Sequence, residues 1–179
     1  ERAVEALVAQ HGRLMPRTQE LENDPTWRQL VAYVLVGHEG RLLMYQRAPK
    51  GAGDARIQGK FSLAFGGHIN SQDMNPNESP LTAGRNRELN EEVTLESVPG
   101  FEFLGTLQIS KTPIDTVHLG CVYRAQVQSA GYTLNEPGST AWSGWATPDE
   151  VAERYAQLEG WSQEVFNLLY PQLVPASSL

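Results

Sequence analysis

Three glutamates in one short segment are the residues of this sequence best suited to chemistry. Glu88, Glu91 and Glu92 lie three and four positions apart, which places their side chains on one face of a helix. Like charges at this spacing repel, so a helix gains from them only when a cation lies among the carboxylates. Carboxylate oxygens suit a hard divalent ion such as Mg²⁺ or Mn²⁺, and the absence of His or Cys from the segment disfavours Zn²⁺. The segment therefore predicts a metal site.

The helix that positions these glutamates is predicted to run from about residue 80 to about residue 93. Ser79 and Pro80 form a typical helix start, with proline in the first turn. Leu89 and Val93 would be buried while the glutamates face outward. A short apolar strand should lead into the glycine pair at 66–67, upstream of this helix.

Strands dominate the remaining predicted elements, and turn residues separate them. We expect an N-terminal helix within residues 1–22, strands at 30–36, 41–47, 61–65, 101–109, 116–127 and 142–145, loops at 49–60, 70–80 and 129–141, and helices at 147–158 and 161–170. Mostly antiparallel strands with flanking helices indicate an α/β or α+β sandwich. The chain is interpreted as an N-terminal helical extension, residues 1–25, followed by one domain, residues 26–179.

The composition is that of an ordinary globular protein, with 40% apolar and 20% charged residues. Fourteen Lys and Arg against 21 Asp and Glu give a net charge of −7, and there is no basic run. Bulk nucleic acid is therefore excluded as a partner, whereas a small phosphorylated ligand bridged by a metal is compatible. One cysteine, Cys121, excludes an intrachain disulfide. Without a transmembrane-length apolar run or a signal-like N-terminus, we expect a cytoplasmic protein with no membrane partner.

The glutamate segment resembles the Nudix box, Gly-x5-Glu-x7-Arg-Glu-U-x-Glu-Glu-x-Gly-U, in which U is a bulky aliphatic residue. The matching residues are Gly67, Arg87-Glu88-Leu89, Glu91-Glu92 and Leu95, and a weaker similarity extends from about residue 29 to about residue 158. Gly67 stands twenty residues before Arg87 rather than fourteen, so we expect about six extra residues in the loop between 70 and 78. Thr94 replaces the second glycine of the motif, so the helix should end in another conformation.

The resemblance implies a Nudix-type α/β/α sandwich with a mixed sheet, and a Mg²⁺- or Mn²⁺-dependent hydrolase of phosphoric anhydrides. The expected substrate is a nucleoside diphosphate linked to another group. The resemblance also implies that Glu88, Glu91 and Glu92 bind the metal directly or through water. In the same way, a backbone carbonyl at Gly67 is expected to join them and Arg87 to pair with Glu78 as a structural partner.

The residue that orients or deprotonates the attacking water is less narrowly specified. Glu91 or Glu92 could do so, or a glutamate from a distant loop, for which Glu136 is the candidate and Asp115 the competitor. Candidate substrate contacts, with surface or core roles as the alternatives, are Arg47, Phe65 and His68 and, less strongly, Arg56 and Lys60.

Two other functions remain open at this stage. A Nudix-fold module could sense a nucleotide without turnover. An enzyme similar to isopentenyl-diphosphate isomerase would share the fold and the stretch Gly66 to Asn70, but its chemistry requires a cysteine near the site and Cys121 is a poor candidate. A homodimer is common in the family, and the N-terminal helix could contribute to it.

Overall fold

The computed structural model describes residues 1–49, 57–111 and 115–176. Its helices and strands agree closely with the predicted ones. In chain order they are α1 (Arg2–His11), β1 (Gln29–His38), β2 (Arg41–Arg47), β3 (Phe61–Ser62), β4 (Ala64–Phe65), α2 (Pro80–Glu92), β5 (Val93–Leu95), β6 (Gly100–Leu107), β7 (His118–Gln126), β8 (Tyr132–Leu134), β9 (Thr140–Ala146), α3 (Pro148–Glu153) and α4 (Gly160–Leu169).

A mixed sheet forms the centre of the fold. Its strands are ordered β3-β2-β1-β7-β6, with β4 added along β1 and β9 along β2. Strands β1 and β7 are parallel, from the pair Gln29 and His118 to the pair Gly37 and Gln126, while the other pairs are antiparallel. The predicted α/β class with a mixed sheet is confirmed.

Apolar side chains alternate between the two faces of the sheet, so each face carries its own core. Leu35 and Met44 pack with Phe166 of α4 on one face. Val34 and Leu43 pack with Leu89 of α2 on the other. This arrangement of helices on both faces is the α/β/α sandwich expected from the sequence.

Several element boundaries differ from the predicted ones. The strand predicted at 61–65 is divided into β3 and β4, and the helix predicted at 147–158 ends at Glu153 and is followed by a 3₁₀ turn at Tyr155–Gln157. The two-stranded ribbon β5–β8 was not predicted, because strands of three residues carry too little hydrophobic alternation to be recognised.

The predicted N-terminal helix is present as α1, although none of its residues is buried. Val4 packs against the core on the α2 face, whereas Leu7 is exposed. The division between extension and domain at residue 25 stays a prediction. Within the described ranges, no helix has the length and apolar character needed to span a membrane.

Candidate active site

Two consecutive glycines allow the chain to pass closely between strand β1 and helix α2. Gly66 has φ +144°, and a Cβ atom there would lie 1.9 Å from the Ala32 carbonyl oxygen. At Gly67 a Cβ atom would lie 2.4 Å from Oε2 of Glu88. A side chain at Gly66 would displace the backbone of β1, so this position requires glycine. A side chain at Gly67 would displace the Glu88 carboxylate. The glycine pair thus brings backbone polar groups up to the glutamate face of α2.

Helix α2 is fixed at this turn by a buried ion pair. Arg87 donates from Nε and Nη2 to the two carboxylate oxygens of Asp73, at 2.8 and 2.9 Å, and from Nη2 to the His68 carbonyl oxygen at 2.9 Å. The Asp73 residue is only 1% exposed. The predicted pairing of Arg87 with Glu78 was wrong, because Glu78 lies on the exposed loop and accepts a long hydrogen bond from Asn86 instead, at 3.4 Å.

The sequence interpretation missed Asp73, although a signal was present. Asp73 stands six positions after Gly67, at the place where the Nudix box has its first glutamate. Counting backwards from Arg87, as the sequence interpretation did, leads to Glu78 because the extra residues follow Asp73. The inserted segment is therefore 74–79, between Asp73 and the start of α2, rather than the whole of 70–78.

The three glutamates of α2 differ in their surroundings. Nη1 of Arg87 donates to Glu88 at 2.8 Å and to Glu91 at 3.1 Å, and the side chain of Glu88 is 12% exposed whereas that of Glu91 is 53% exposed. Oε2 of Glu92 accepts the backbone N–H of Gly66 at 3.3 Å. Glu88 and Glu92 are thus turned toward the glycine pair, and Glu91 toward solvent.

The carboxylates at this turn repel one another and are partly removed from water. Burial, together with the charges of Glu88 and Glu136, raises the pKa of Glu92 to about 7, although Arg47 and the Gly66 N–H act in the opposite direction. Burial also raises the pKa of Glu88 above its ordinary value, aided by the charge of Glu91 and opposed by Arg87. Such crowding of partly buried carboxylates is what a bound cation relieves.

Glu136 reaches this cluster because its loop is attached to the end of α2. Val93 leaves the helix in an extended conformation, which starts β5 without the glycine of the motif. In the loop, Asn135 donates its backbone N–H to the Glu92 carbonyl oxygen at 2.9 Å and its Nδ2 to the Asn90 carbonyl oxygen at 2.8 Å. The competitor Asp115 is buried at the start of β7, where its charge acts on Lys111.

The donor chemistry of this cluster fits a hard divalent cation, since its side-chain ligands are carboxylate oxygens. Glu88, Glu91 and Glu92 are the residues that would hold it. One lone pair of the Gly67 carbonyl oxygen is taken by the Ala32 N–H at 2.8 Å, which leaves a second available. In the part of the chain described here, no three His, Cys, Asp or Glu side chains already stand in metal-ligand geometry. The metal site therefore stays a prediction.

The candidate substrate contacts occupy different environments. Arg47 is paired through Nε with Glu159 at 3.0 Å and its side chain is 31% exposed. Nε2 of His68 lies 3.0 Å from Nε2 of His118, and burial, with the charges of Arg17 and His118, lowers the pKa of His68 to about 4. His68 is therefore a neutral imidazole at neutral pH.

Phe65 is 2% exposed and stacks on Tyr45 with ring centroids 4.8 Å apart. Its proposed role as a substrate contact is therefore corrected to a core role, because no face of the ring is open. Lys60 is partly buried before β3, and Arg56 lies outside the described residues.

Comparison with known proteins gives matches over most of the chain, although no family model matches it. Protein YmaB of Bacillus subtilis (strain 168) is 28% identical over 158 residues, which are 86% of this chain and 76% of YmaB. The crystal structure of Tm1382, a candidate Nudix hydrolase, is 26% identical with a TM-score of 0.72, and the match covers 96% of this chain and 85% of Tm1382.

A third match supports the fold alone. The Nudix domain of Shewanella oneidensis NrtR, crystallised with ADP ribose, is 17% identical with a TM-score of 0.61, over 89% of this chain and 100% of that domain.

Proposed function

We propose that this chain, which belongs to the Nudix hydrolase family, hydrolyses the phosphoric anhydride of a nucleoside diphosphate derivative. The reaction would use Mg²⁺ or Mn²⁺. The observation that carries this proposal is that Glu88 and Glu92 face the glycine pair together. The charge of Glu136 helps to raise the pKa of Glu92 there to about 7. Four oxygen-bearing side chains, with Glu91, stand on or next to one helical turn. This is the donor set that the chemistry of a charged diphosphate requires.

Each residue then has a role that follows from its position. A bound divalent ion would neutralise phosphate charge and lower the pKa of water. Arg87, anchored by Asp73, orients Glu88 and restrains Glu91. Glu92 or Glu136 accepts the proton of the attacking water, since the charge of Glu136 acts on Glu92. Arg47 and His68 contact the substrate beyond the carboxylates.

ADP ribose is the natural first substrate to test. The fold resembles that of the NrtR domain, which was crystallised with this nucleotide, and ADP ribose contains the diphosphate linkage that the proposed chemistry cleaves. A panel of other nucleoside diphosphate derivatives would extend the test.

The decisive measurement compares Glu92→Gln with the wild-type protein in Mg²⁺ or Mn²⁺, with product identification. We expect the substitution to lower kcat by about 100-fold or more, because the general base or a metal ligand is lost. Glu102→Gln is the matched control, since Glu102 lies on β6 and is exposed. Unchanged turnover in Glu92→Gln would contradict the proposed role of the cluster.

The alternatives give different results in the same assay. Tight binding of a nucleotide without turnover across the panel would support a sensing module instead. Conversion of isopentenyl diphosphate without phosphate release would support an isomerase. Against the isomerase, Cys121 is fully buried and burial raises the pKa of its thiol to about 11, so it is a poor acid or nucleophile.

A further inference from the structure

A buried carboxylate outside the glutamate cluster has no role in the mechanism described so far. Glu159 is 7% exposed, at the start of α4. Its Oε1 accepts hydrogen bonds from Ser62 Oγ at 2.7 Å and from the Tyr33 hydroxyl at 3.1 Å. Its Oε2 accepts from Nε of Arg47 at 3.0 Å. Both carboxylate oxygens are therefore occupied by donors from three strands.

Further hydrogen bonds fix the residues around the Glu159 carboxylate. The backbone N–H of Glu159 donates to the Phe61 carbonyl oxygen at 2.9 Å. Ser162 Oγ lies 2.7 Å from the Tyr33 hydroxyl and accepts the backbone N–H of Leu63 at 2.9 Å. Such a network, in which every polar group has a partner, restricts the Glu159 carboxylate to a single position. Without these hydrogen bonds, the loss of side-chain entropy would oppose that restriction.

A contribution to folding stability does not by itself explain the buried pair of Glu159 and Arg47. Glu159 precedes the first residue of α4, yet its side chain makes no capping hydrogen bond to that helix. Removing a carboxylate and a guanidinium from water costs about as much free energy as their attraction returns, so a buried pair is weak evidence for stability. The more informative effect of Glu159 is that it fixes the position of the Arg47 guanidinium.

Arg47 extends from Glu159 toward the glutamate cluster. Its guanidinium carbon lies 5.3 Å from the centre of the Tyr45 ring, and that ring stacks on Phe65, the residue before Gly66. Gly66 in turn donates to Glu92. Although burial acts to lower it, the pKa of Arg47 is raised above its ordinary value by Tyr45, Glu159 and Glu92. Arg47 thus pairs directly with Glu159 and is near enough to Glu92 for the two charges to act on each other.

Among the described residues, the side-chain hydrogen bond of Arg47 is made by Nε, and none is made by its terminal nitrogens. A guanidinium held through Nε still presents its Nη groups, which match a phosphate in geometry and charge.

We propose that Glu159 is a positioning residue, which holds Arg47 beside the glutamate cluster so that the Nη groups of Arg47 meet a phosphate of the substrate. This inference rests on the proposed function. A guanidinium held in one rotamer before the substrate arrives loses less entropy on binding than a free arginine side chain. A purely structural pair would instead affect folding and leave substrate affinity unchanged.

The kinetic test uses Arg47→Gln, Glu159→Gln and the double variant, with ADP ribose and Mg²⁺. We expect each single variant to raise KM roughly 10- to 100-fold with a smaller change in kcat, as misplacement of a binding group does. The double variant should be no worse than Arg47→Gln, because Glu159 acts through Arg47. Glu159→Asp, which keeps the charge, should restore part of the affinity.

Arg124→Gln is the matched control, because Arg124 forms an ion pair with Glu102 at 3.5 Å on the far edge of the sheet. It should leave KM unchanged. If Glu159→Gln fails to fold, Ser62→Ala loosens the same carboxylate by removing its 2.7 Å donor and should raise KM in the same direction. A lowered thermal midpoint with unchanged KM in the Glu159 or Ser62 variant would overturn the proposal.

A second measurement does not depend on turnover. The NMR resonance of the Arg47 Nε–H, assigned by its loss in Arg47→Gln, should move when inorganic pyrophosphate and Mg²⁺ are added to the wild-type protein. The same addition should leave Glu159→Gln unaffected. If no substrate on the panel is hydrolysed but this difference is found, the positioning role stands and the proposed hydrolysis fails. If pyrophosphate leaves the wild-type resonance unchanged, the positioning role fails.

Discussion

Asp73 shows how one side chain can determine the geometry of a whole helical turn. It binds Arg87 through both carboxylate oxygens, and Arg87 in turn binds Glu88 and Glu91. Backbone donation from Asn70 to Asp73 at 2.8 Å fixes the aspartate on its other side. Asp73 therefore positions Glu88 and Glu91 through Arg87, although it does not belong to the glutamate cluster itself.

The first prediction at this scale concerns Asp73→Asn and acid stability. Burial would raise the pKa of Asp73, but the hydrogen bonds from Arg87 and Asn70 outweigh it and hold the pKa below its ordinary value. The stabilisation is therefore complete above the unfolded pKa of about 3.9 and is lost as the pH falls through the lower folded pKa. We expect Asp73→Asn to lower the free energy of unfolding by about 2–3 kcal/mol at pH 7.

Urea unfolding followed by circular dichroism between pH 2 and pH 7 measures this effect. The difference between the wild-type protein and Asp73→Asn should begin to shrink below about pH 3.9, where Asp73 of the unfolded chain becomes protonated. It should disappear as the pH falls through the lower pKa of Asp73 in the folded protein. Asp149→Asn, at an exposed position of α3, should change stability by less than about 1 kcal/mol. A difference that stays constant with pH would contradict the assignment to the Asp73 carboxylate.

At the scale of elements, the sequence predicted the long strands and helices, whose hydrophobic patterns repeat over several residues. The ten-residue β1, the seven-residue β2 and α2 with its Ser79–Pro80 start were recognised because their patterns extend over several residues. Asp73 was missed because a motif counted from its downstream end ignores where an insertion falls. The ribbon β5–β8 was missed because each strand is only three residues long and the pairing joins segments far apart in the sequence.

That ribbon gives the second prediction, on Asn135→Ala. The substitution removes the hydrogen bonds from Nδ2 to the Asn90 carbonyl oxygen and from Thr94 Oγ1 to Asn135 Oδ1, at 2.8 and 3.0 Å. We expect stability to fall by about 1–2 kcal/mol and exchange of the Asn135 backbone amide to accelerate. Hydrogen exchange followed by NMR checks both changes.

Asn77→Ala, in the exposed segment before α2, is the matched control for this experiment and should change neither quantity measurably. If Asn135→Ala leaves exchange at positions 135 and 136 unchanged, the side chain of Asn135 is not what attaches the loop to α2.

The whole molecule has two cores separated by one sheet, with α1 at its margin. The core on one face is closed by α3 and α4, and the core on the other face by α2. Helix α1 contributes Val4 to the second core without burying any residue completely. The sheet and its two cores therefore do not depend on α1.

The third prediction follows for a variant that lacks residues 2–11. Since Val4 is the one side chain of this segment packed against either core, we expect the thermal midpoint to fall by no more than about 4 °C. The circular dichroism spectrum of the sheet should be unchanged. Sedimentation of the same variant beside the wild-type protein tests whether α1 contributes to the homodimer expected from the family. A collapse of the thermal transition would show that α1 is part of the cooperative core.

The parallel pairing of β1 with β7 has a consequence for how the protein folds during synthesis. The two strands are 89 residues apart in sequence, from Gln29 to His118, and they lie next to each other at the centre of the sheet. The glycine pair and α2 fall within this interval, so the half of the chain that carries the glutamates cannot complete its sheet before β7 has left the ribosome. Closing so long a loop makes contact order high and folding slow. The turn that carries the glutamates thus lacks the protection of the completed sheet until β7 has been made.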